Sequence, residues 1–247
     1  MFYVDSHIHL QDYTTQDVNN IVTAAKKNKV QILVNASAHP QDWDKVAQLA
    51  AQYPFIIPAY GVHPWHIADA PDNWLAKLKK MLEQNPRAWV GECGIDRLKN
   101  SNIDAQLKIL EPQTKLAQEL RRPLIIHSVK ADEILVKLFP TLPKRTIFHS
   151  FTGSAEWGKK VQSHGFFIGL NFSVLRKKNA AQIIQSLNFS QILLETDGPY
   201  QSGTPNKETL PQNLPLLAEQ IAALKQISID ELMMQLMQNW QNFYGEL

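Results

Sequence analysis

The sequence predicts an α/β fold, a (β/α)8 TIM barrel formed as a single domain over residues 1–247. Three observations carry this reading. Eight short apolar or β-branched runs alternate with amphipathic segments at spacings of roughly 20–35 residues, the length that a strand-plus-helix unit needs. The chain has 247 residues, and α/β barrels commonly reach about 250 residues as one domain. Seven of the eight histidines fall at, or just past, the C-terminal end of one of the runs, the face on which such barrels carry their chemistry.

The runs are residues 3–9, 30–37, 55–62, 89–94, 124–128, 146–151, 166–171 and 191–197. Between them, apolar residues recur at helical spacing over 17–27, 41–52, 73–83, 104–120, 131–139, 154–163 and 179–187. A last helical region covers 212–243 and is expected to break near Ser228, which precedes Ile229-Asp230-Glu231 in the pattern of an N-terminal cap. Asp72 or Asn73 is placed to cap the helix that begins at Trp74. Pro54, Pro86, Pro123 and Pro143 each closely precede a strand. Strict alternation implies a parallel sheet covered by helices, and eight units favour closure over an open sheet. No change of composition, linker or low-complexity tract marks a boundary.

Composition narrows the function. A net charge of +2 gives no global field for nucleic acid, so any such contact must come from local patches. The single cysteine, Cys93, excludes an internal disulfide framework and fits a reducing compartment. The start of the chain lacks the pattern of a secretory leader, and no run of about 18 apolar residues occurs. The expectation is a soluble cytoplasmic protein that binds no membrane and is a monomer or weak dimer.

The polar residues at the strand tips carry the chemistry. Side chains alternate along a strand, so Asp5, His7 and His9 share one face. Glu92 shares a face with Val90, Gly94 and Asp96; His127 with Ile125; His149 with Ile147; and Asp197 with Leu193 and Glu195. Apolar residues lie deeper on the same faces, as expected for ligands at the rim of a packed barrel. Four histidines and two carboxylates exceed one tetrahedral site and suit two divalent cations that share a carboxylate. Mixed imidazole and carboxylate ligation fits Zn, Mn or Fe better than Mg. Paired cations imply hydrolysis. Asp5 and Glu195 are read as orienting the ligands.

The motifs VDSHIHL (4–10), GVHPWH (61–66), GECGID (91–96), PLIIHS (123–128), FHSFTG (148–153) and LLETDGPY (193–200) together resemble the TatD family of metal-dependent hydrolases. The resemblance implies that His7, His9 and Asp197 hold one metal, that Glu92 bridges, and that His127 and His149 hold the second. It makes His63 a substrate or phosphate contact. It implies a nucleic acid substrate, most often DNA degraded 3′→5′, with D-aminoacyl-tRNA deacylation in one branch. Two positions depart from the family pattern: Val129 stands where an arginine is usual, and Arg97 where an aromatic is usual.

The expected mechanism is attack of an activated water on a phosphodiester. Asp197 takes its proton, Glu92 holds the metals, and His63, with Arg97 or Arg176, stabilises developing charge. An acyl hydrolase on the same site, or a subunit that mainly binds a partner protein, are the alternatives. Arg176-Lys177-Lys178 follows the seventh strand and could meet phosphates, and Trp65 and Tyr200 could stack on bases. Cys93 has the opposite parity to Glu92 and reads as a buried apolar residue.

Overall fold

The computed structural model describes residues 1–99, 101–201 and 209–245. All eight expected strands form. In chain order the elements are β1 (Tyr3–Ile8), α1 (Thr15–Lys27), β2 (Val30–Ala36), α2 (Trp43–Gln52), β3 (Ile56–Tyr60), α3 (Trp74–Gln84) and β4 (Trp89–Asp96). They continue as α4 (Ile103–Glu119), β5 (Leu124–Val129), α5 (Asp132–Leu138), β6 (Thr146–Phe148), α6 (Ala155–Ser163), β7 (Phe167–Leu170), α7 (Phe172–Leu175), α8 (Ala180–Ser186) and β8 (Ile192–Leu194). Two further helices, α9 (Leu214–Lys225) and α10 (Ile229–Tyr244), complete the described chain.

The strands lie in one sheet in the order β1-β2-β3-β4-β5-β6-β7-β8. The pairings β3–β4, β4–β5, β5–β6 and β7–β8 are parallel. The sequence after β8 returns to β1: the Asp197 N–H donates to His7 O (2.9 Å), the His9 N–H to Gly198 O (2.8 Å) and Ser6 Oγ to Leu194 O (3.1 Å). This is the topology of a (β/α)8 TIM barrel.

Departures from the expected elements have local causes. The strands β6 and β8 are three residues each, so His149 and Asp197 sit beyond their strands, where the backbone turns. Ser150 and Asp197 both adopt positive φ, 46° and 57°. The strand β5 stops at Val129 because Lys130 is left-handed, with φ 54°, so alternation does not extend to Lys130. Asn73 starts α3 without a side-chain cap bond. The four-residue α7 and the 3-10 helix Pro64–Asp69 are too short to leave a periodic signal. The break at Ser228 does form: its hydroxyl accepts the Glu231 N–H and Glu231 bonds back to the Ser228 N–H.

The chain packs as two compact units, Met1–Val34 with His149–Leu247, and Asn35–Phe148. In the first, Asn239 of α10 donates from Nδ2 to Phe189 O and Ile192 O, both at 2.8 Å, and so holds the start of β8. Phe243 packs edge-on to Phe167 of β7, centroids 4.9 Å apart.

In the second unit, α4 fixes two strand ends with two buried glutamines. Gln113 Oε1 accepts the Val62 N–H (2.8 Å) while its Nε2 donates to Val62 O (3.3 Å). Gln106 does the same for Asp96, at 2.8 and 3.1 Å. Each side-chain amide stands in for a neighbouring strand. The strands β4 and β5 approach so closely that a Cβ on Gly94 would lie 2.0 Å from His127 O, at a φ of +155°.

Gln113→Leu leaves the Val62 N–H without its acceptor in a dry place. It is expected to cost about 2–3 kcal/mol. Ser228→Ala, which loses only an exposed cap, is expected to cost about 1 kcal/mol. Urea unfolding of the two variants checks the ranking.

Candidate metal centre

In the first unit, His7 from β1, His9 just past it and Asp197 after β8 bring three donor atoms together. His7 Nε2 and His9 Nε2 are 3.0 Å apart, and Asp197 Oδ1 lies 3.6 and 3.4 Å from them. Two atoms each about 2.1 Å from one cation stand about 3.0 Å apart at a right angle and about 3.4 Å apart at the tetrahedral angle. Two edges of the triangle have those lengths and the third is 0.2 Å longer than the tetrahedral value, and all three residues are buried. The donor set therefore fits a divalent cation. Burial opposes the charge of Asp197, but the bond from His9 and the nearby His149, His7 and His9 hold its carboxyl below the ordinary range. The ring of His149 stacks on that of His7, centroids 4.1 Å apart and planes 19° apart.

Two buried carboxylates support this cluster. Asp5 Oδ1 accepts the Thr196 N–H (2.9 Å) and the His7 N–H (3.3 Å), and Oδ2 accepts Thr196 Oγ1 (2.5 Å). It fastens the peptide next to Asp197 rather than the His7 ring. Burial, partly offset by these bonds, pushes its carboxyl up to about 7. Glu195 Oε1 accepts the Ser150 N–H (2.5 Å) and Asn171 Nδ2 (3.3 Å), and lies 3.7 Å from His149 Nδ1. Only glycine leaves room for it, since a Cβ on Gly169 would stand 2.1 Å from Glu195 Oε2.

In the second unit, Glu92 and Asp96 of β4 face His127 of β5. His127 Nδ1 is 2.8 Å from Glu92 Oε1 and its Nε2 is 3.3 Å from Asp96 Oδ2. His63, after β3, places Nε2 3.3 Å from the same Glu92 oxygen. Its Nδ1 accepts the Trp65 N–H at 3.2 Å, which leaves the proton of a neutral imidazole on Nε2. His63 thus presents a donor to the cluster, whereas Glu92 offers lone pairs. Asp96 carries an indole too: Trp65 Nε1 donates to Oδ2 at 2.7 Å. Burial disfavours its charge, yet bonds from His127, Trp65 and the Lys99 and Leu98 N–H groups hold it well below the usual range. The sequence showed only that Asp96 shares a face with Glu92; its partners lie on other elements.

The remaining residues sort differently. Arg97 is exposed and its Nη1 donates to Lys130 O (3.4 Å). Arg176 is exposed and bonds Gln201 O (3.3 Å) and Oε1 (3.0 Å). Tyr200, 53% exposed, donates to Asp12 Oδ2 (3.0 Å) with its ring edge-on to His9 at 5.6 Å. His39 and His66 converge on Asp69 Oδ2 at 3.3 and 3.4 Å. Because His39 Nδ1 accepts the Gln41 N–H (3.0 Å), its Nε2 carries the proton and donates to Asp69. That trio is a clasp on the loop after β3. Cys93 is buried, and burial raises its thiol well above the ordinary range.

The family model for TatD related DNases matches residues 4–245. The chain belongs to the TatD family of metal-dependent hydrolases. Among curated relatives it is 28% identical to a deoxyribonuclease Tat-D of Schizosaccharomyces pombe, over 93% of this chain and 88% of that one. It is also 28% identical to an uncharacterised metal-dependent hydrolase of Bacillus subtilis, over 94% of each. A 3′-5′ ssDNA/RNA exonuclease TatD of Erwinia tasmaniensis is 26% identical over 93% of this chain and 94% of its own. The crystal structure of a TatD homologue from Escherichia coli K12 superposes with a TM-score of 0.92 at 24% identity, covering 99% and 98% of the two chains. The family fold is therefore the barrel described above. No helix among the described residues is long and apolar enough to cross a membrane.

If Asp5 serves the centre by fixing Thr196, then Asp5→Ala should weaken divalent-cation binding roughly 10- to 100-fold. Asp5→Asn keeps an acceptor and should lose less. Competition titration against a fluorescent zinc chelator gives both values.

Proposed function

We propose that residues 1–247 form one nucleic acid phosphodiesterase, a 3′→5′ exonuclease on single-stranded DNA, working with two divalent cations in the cytoplasm. In this reading one cation is held by His7, His9 and Asp197 and the other by His127 and His149, with Glu92 as ligand to both. The observation that carries it is the His7–His9–Asp197 triangle, whose edges of 3.0, 3.4 and 3.6 Å suit ligation by Zn or Mn. The Glu92–His127 pair, with Glu92 buried and His127 partly so, adds a second set of donors of the same types. The relatives named as deoxyribonucleases and exonuclease support the choice of substrate.

When bound, the cations supply Lewis acidity and make a water acidic near neutral pH. The chain's own residues do the rest. Asp197, held ionised by its imidazole neighbours, accepts the proton of the attacking water. His63, with its proton on Nε2, donates to the phosphoryl oxygen on which negative charge grows. Asp96 keeps His127 oriented from the side away from Glu92. Arg97 and Arg176 are exposed and tied to backbone carbonyls, so they serve the passing strand as outer cations rather than the reacting phosphorus.

The test uses metal-stripped protein reloaded separately with Zn, Mn and Mg, and single-stranded DNA labelled at either end. Metal-dependent shortening from the 3′ end is expected. Asp197→Asn should lower kcat by roughly 10²–10⁴. Two cations per chain by elemental analysis, and fewer after His127→Ala, are expected alongside. Cleavage that survives both substitutions in full overturns the reading.

A further inference from the structure

The mechanism leaves Trp65 unused, although its surroundings are built with care. Its indole is 51% exposed, yet the Nε1–H is fixed at 2.7 Å on Asp96 Oδ2, and Asp96 is itself 2% exposed. Asp96 cannot swing, because its Oδ1 accepts the Leu98 and Lys99 N–H groups at 2.8 and 3.0 Å. The backbone of Trp65 is pinned as well, through its N–H on His63 Nδ1. A large aromatic side chain normally gains by folding its faces onto apolar neighbours. This one is held by its polar edge while half its surface stays in water. The same Asp96 oxygen faces His127 Nε2 at 3.3 Å, so the ring is indexed to a residue of the proposed centre. Lys99 Nζ lies over the ring, 5.1 Å from its centroid.

We infer that Trp65, locked by Asp96, is a stacking platform for a nucleobase next to the bond that is cut, with Lys99 as the cation for that nucleotide's phosphate. Every base offers a π-face, so the platform takes any base and favours unpaired strands over duplex. Asp96 is a positioning residue: it sets the ring and His127 together. The inference rests on the nucleic acid reading above.

The experiment compares wild type, Trp65→Ala and Trp65→Phe, all loaded with Mn, on two single-stranded oligonucleotides. One is intact, and the other lacks the base at its 3′-terminal nucleotides. On the intact strand Trp65→Ala should raise KM about 5- to 100-fold, and more than it lowers kcat. On the abasic strand wild type and Trp65→Ala should be alike. Trp65→Phe keeps a ring but no N–H to anchor, and should fall between. An unchanged KM for Trp65→Ala on the intact strand, or an equal loss on both strands, overturns the inference. If wild type cleaves no nucleic acid, the functional reading has failed, and fluorescence of the metal-free protein then decides this one. Quenching by an oligonucleotide that disappears in Trp65→Phe supports the platform; absence of quenching overturns it.

Discussion

A polar side chain can stand at the dry end of a strand only if other groups hold it there, and this requirement organises most of what lies around the histidines. Burying an unpartnered carboxylate or imidazole costs several kcal/mol. Here Asp5 is satisfied by Thr196 and the His7 N–H, and Glu195 by Ser150 and Asn171. Gly169 gives up its side chain so that Glu195 can fit. The effect of these groups is to fix the backbone beside His7, Asp197 and His149.

The two clusters differ in the hydrogen bonds their imidazoles make. In the first, two imidazole nitrogens and a carboxylate oxygen converge, a donor set that a cation can occupy. In the second, the Trp65 N–H fixes the tautomer of His63, so the cluster mixes a donor with acceptors. A backbone N–H thus sets the tautomer of His63. Residue type alone leaves that choice open.

Much of this was legible in the sequence. All eight strands were, because each is a short apolar run of the length expected between helices, and so was the break at Ser228. Parity placed His7, Glu92 and His127, which lie on strands, whereas His9, His149 and Asp197 lie past strand ends and were carried by the motifs. What escaped were features without period or local signature. The turn at Lys130 ends β5 at Val129, and nothing in the strand pattern announces a left-handed residue there. Asp96 looked like one more inward position, because Trp65 lies 31 residues away in sequence. Nothing in the helical pattern marks Gln106 or Gln113; their amides are read only once the strand ends they bind are known.

Those two glutamines carry a further consequence. They are seven residues apart, close to two helical turns and about 10.5 Å along the axis, and each must reach a different strand end. The helix α4 therefore works as a gauge bar: it sets how far the tip of β3 stands from the tip of β4. A single inserted residue between Gln106 and Gln113 would rotate one amide by about 100° away from its strand. Changes of length are then closed in that one stretch of helix.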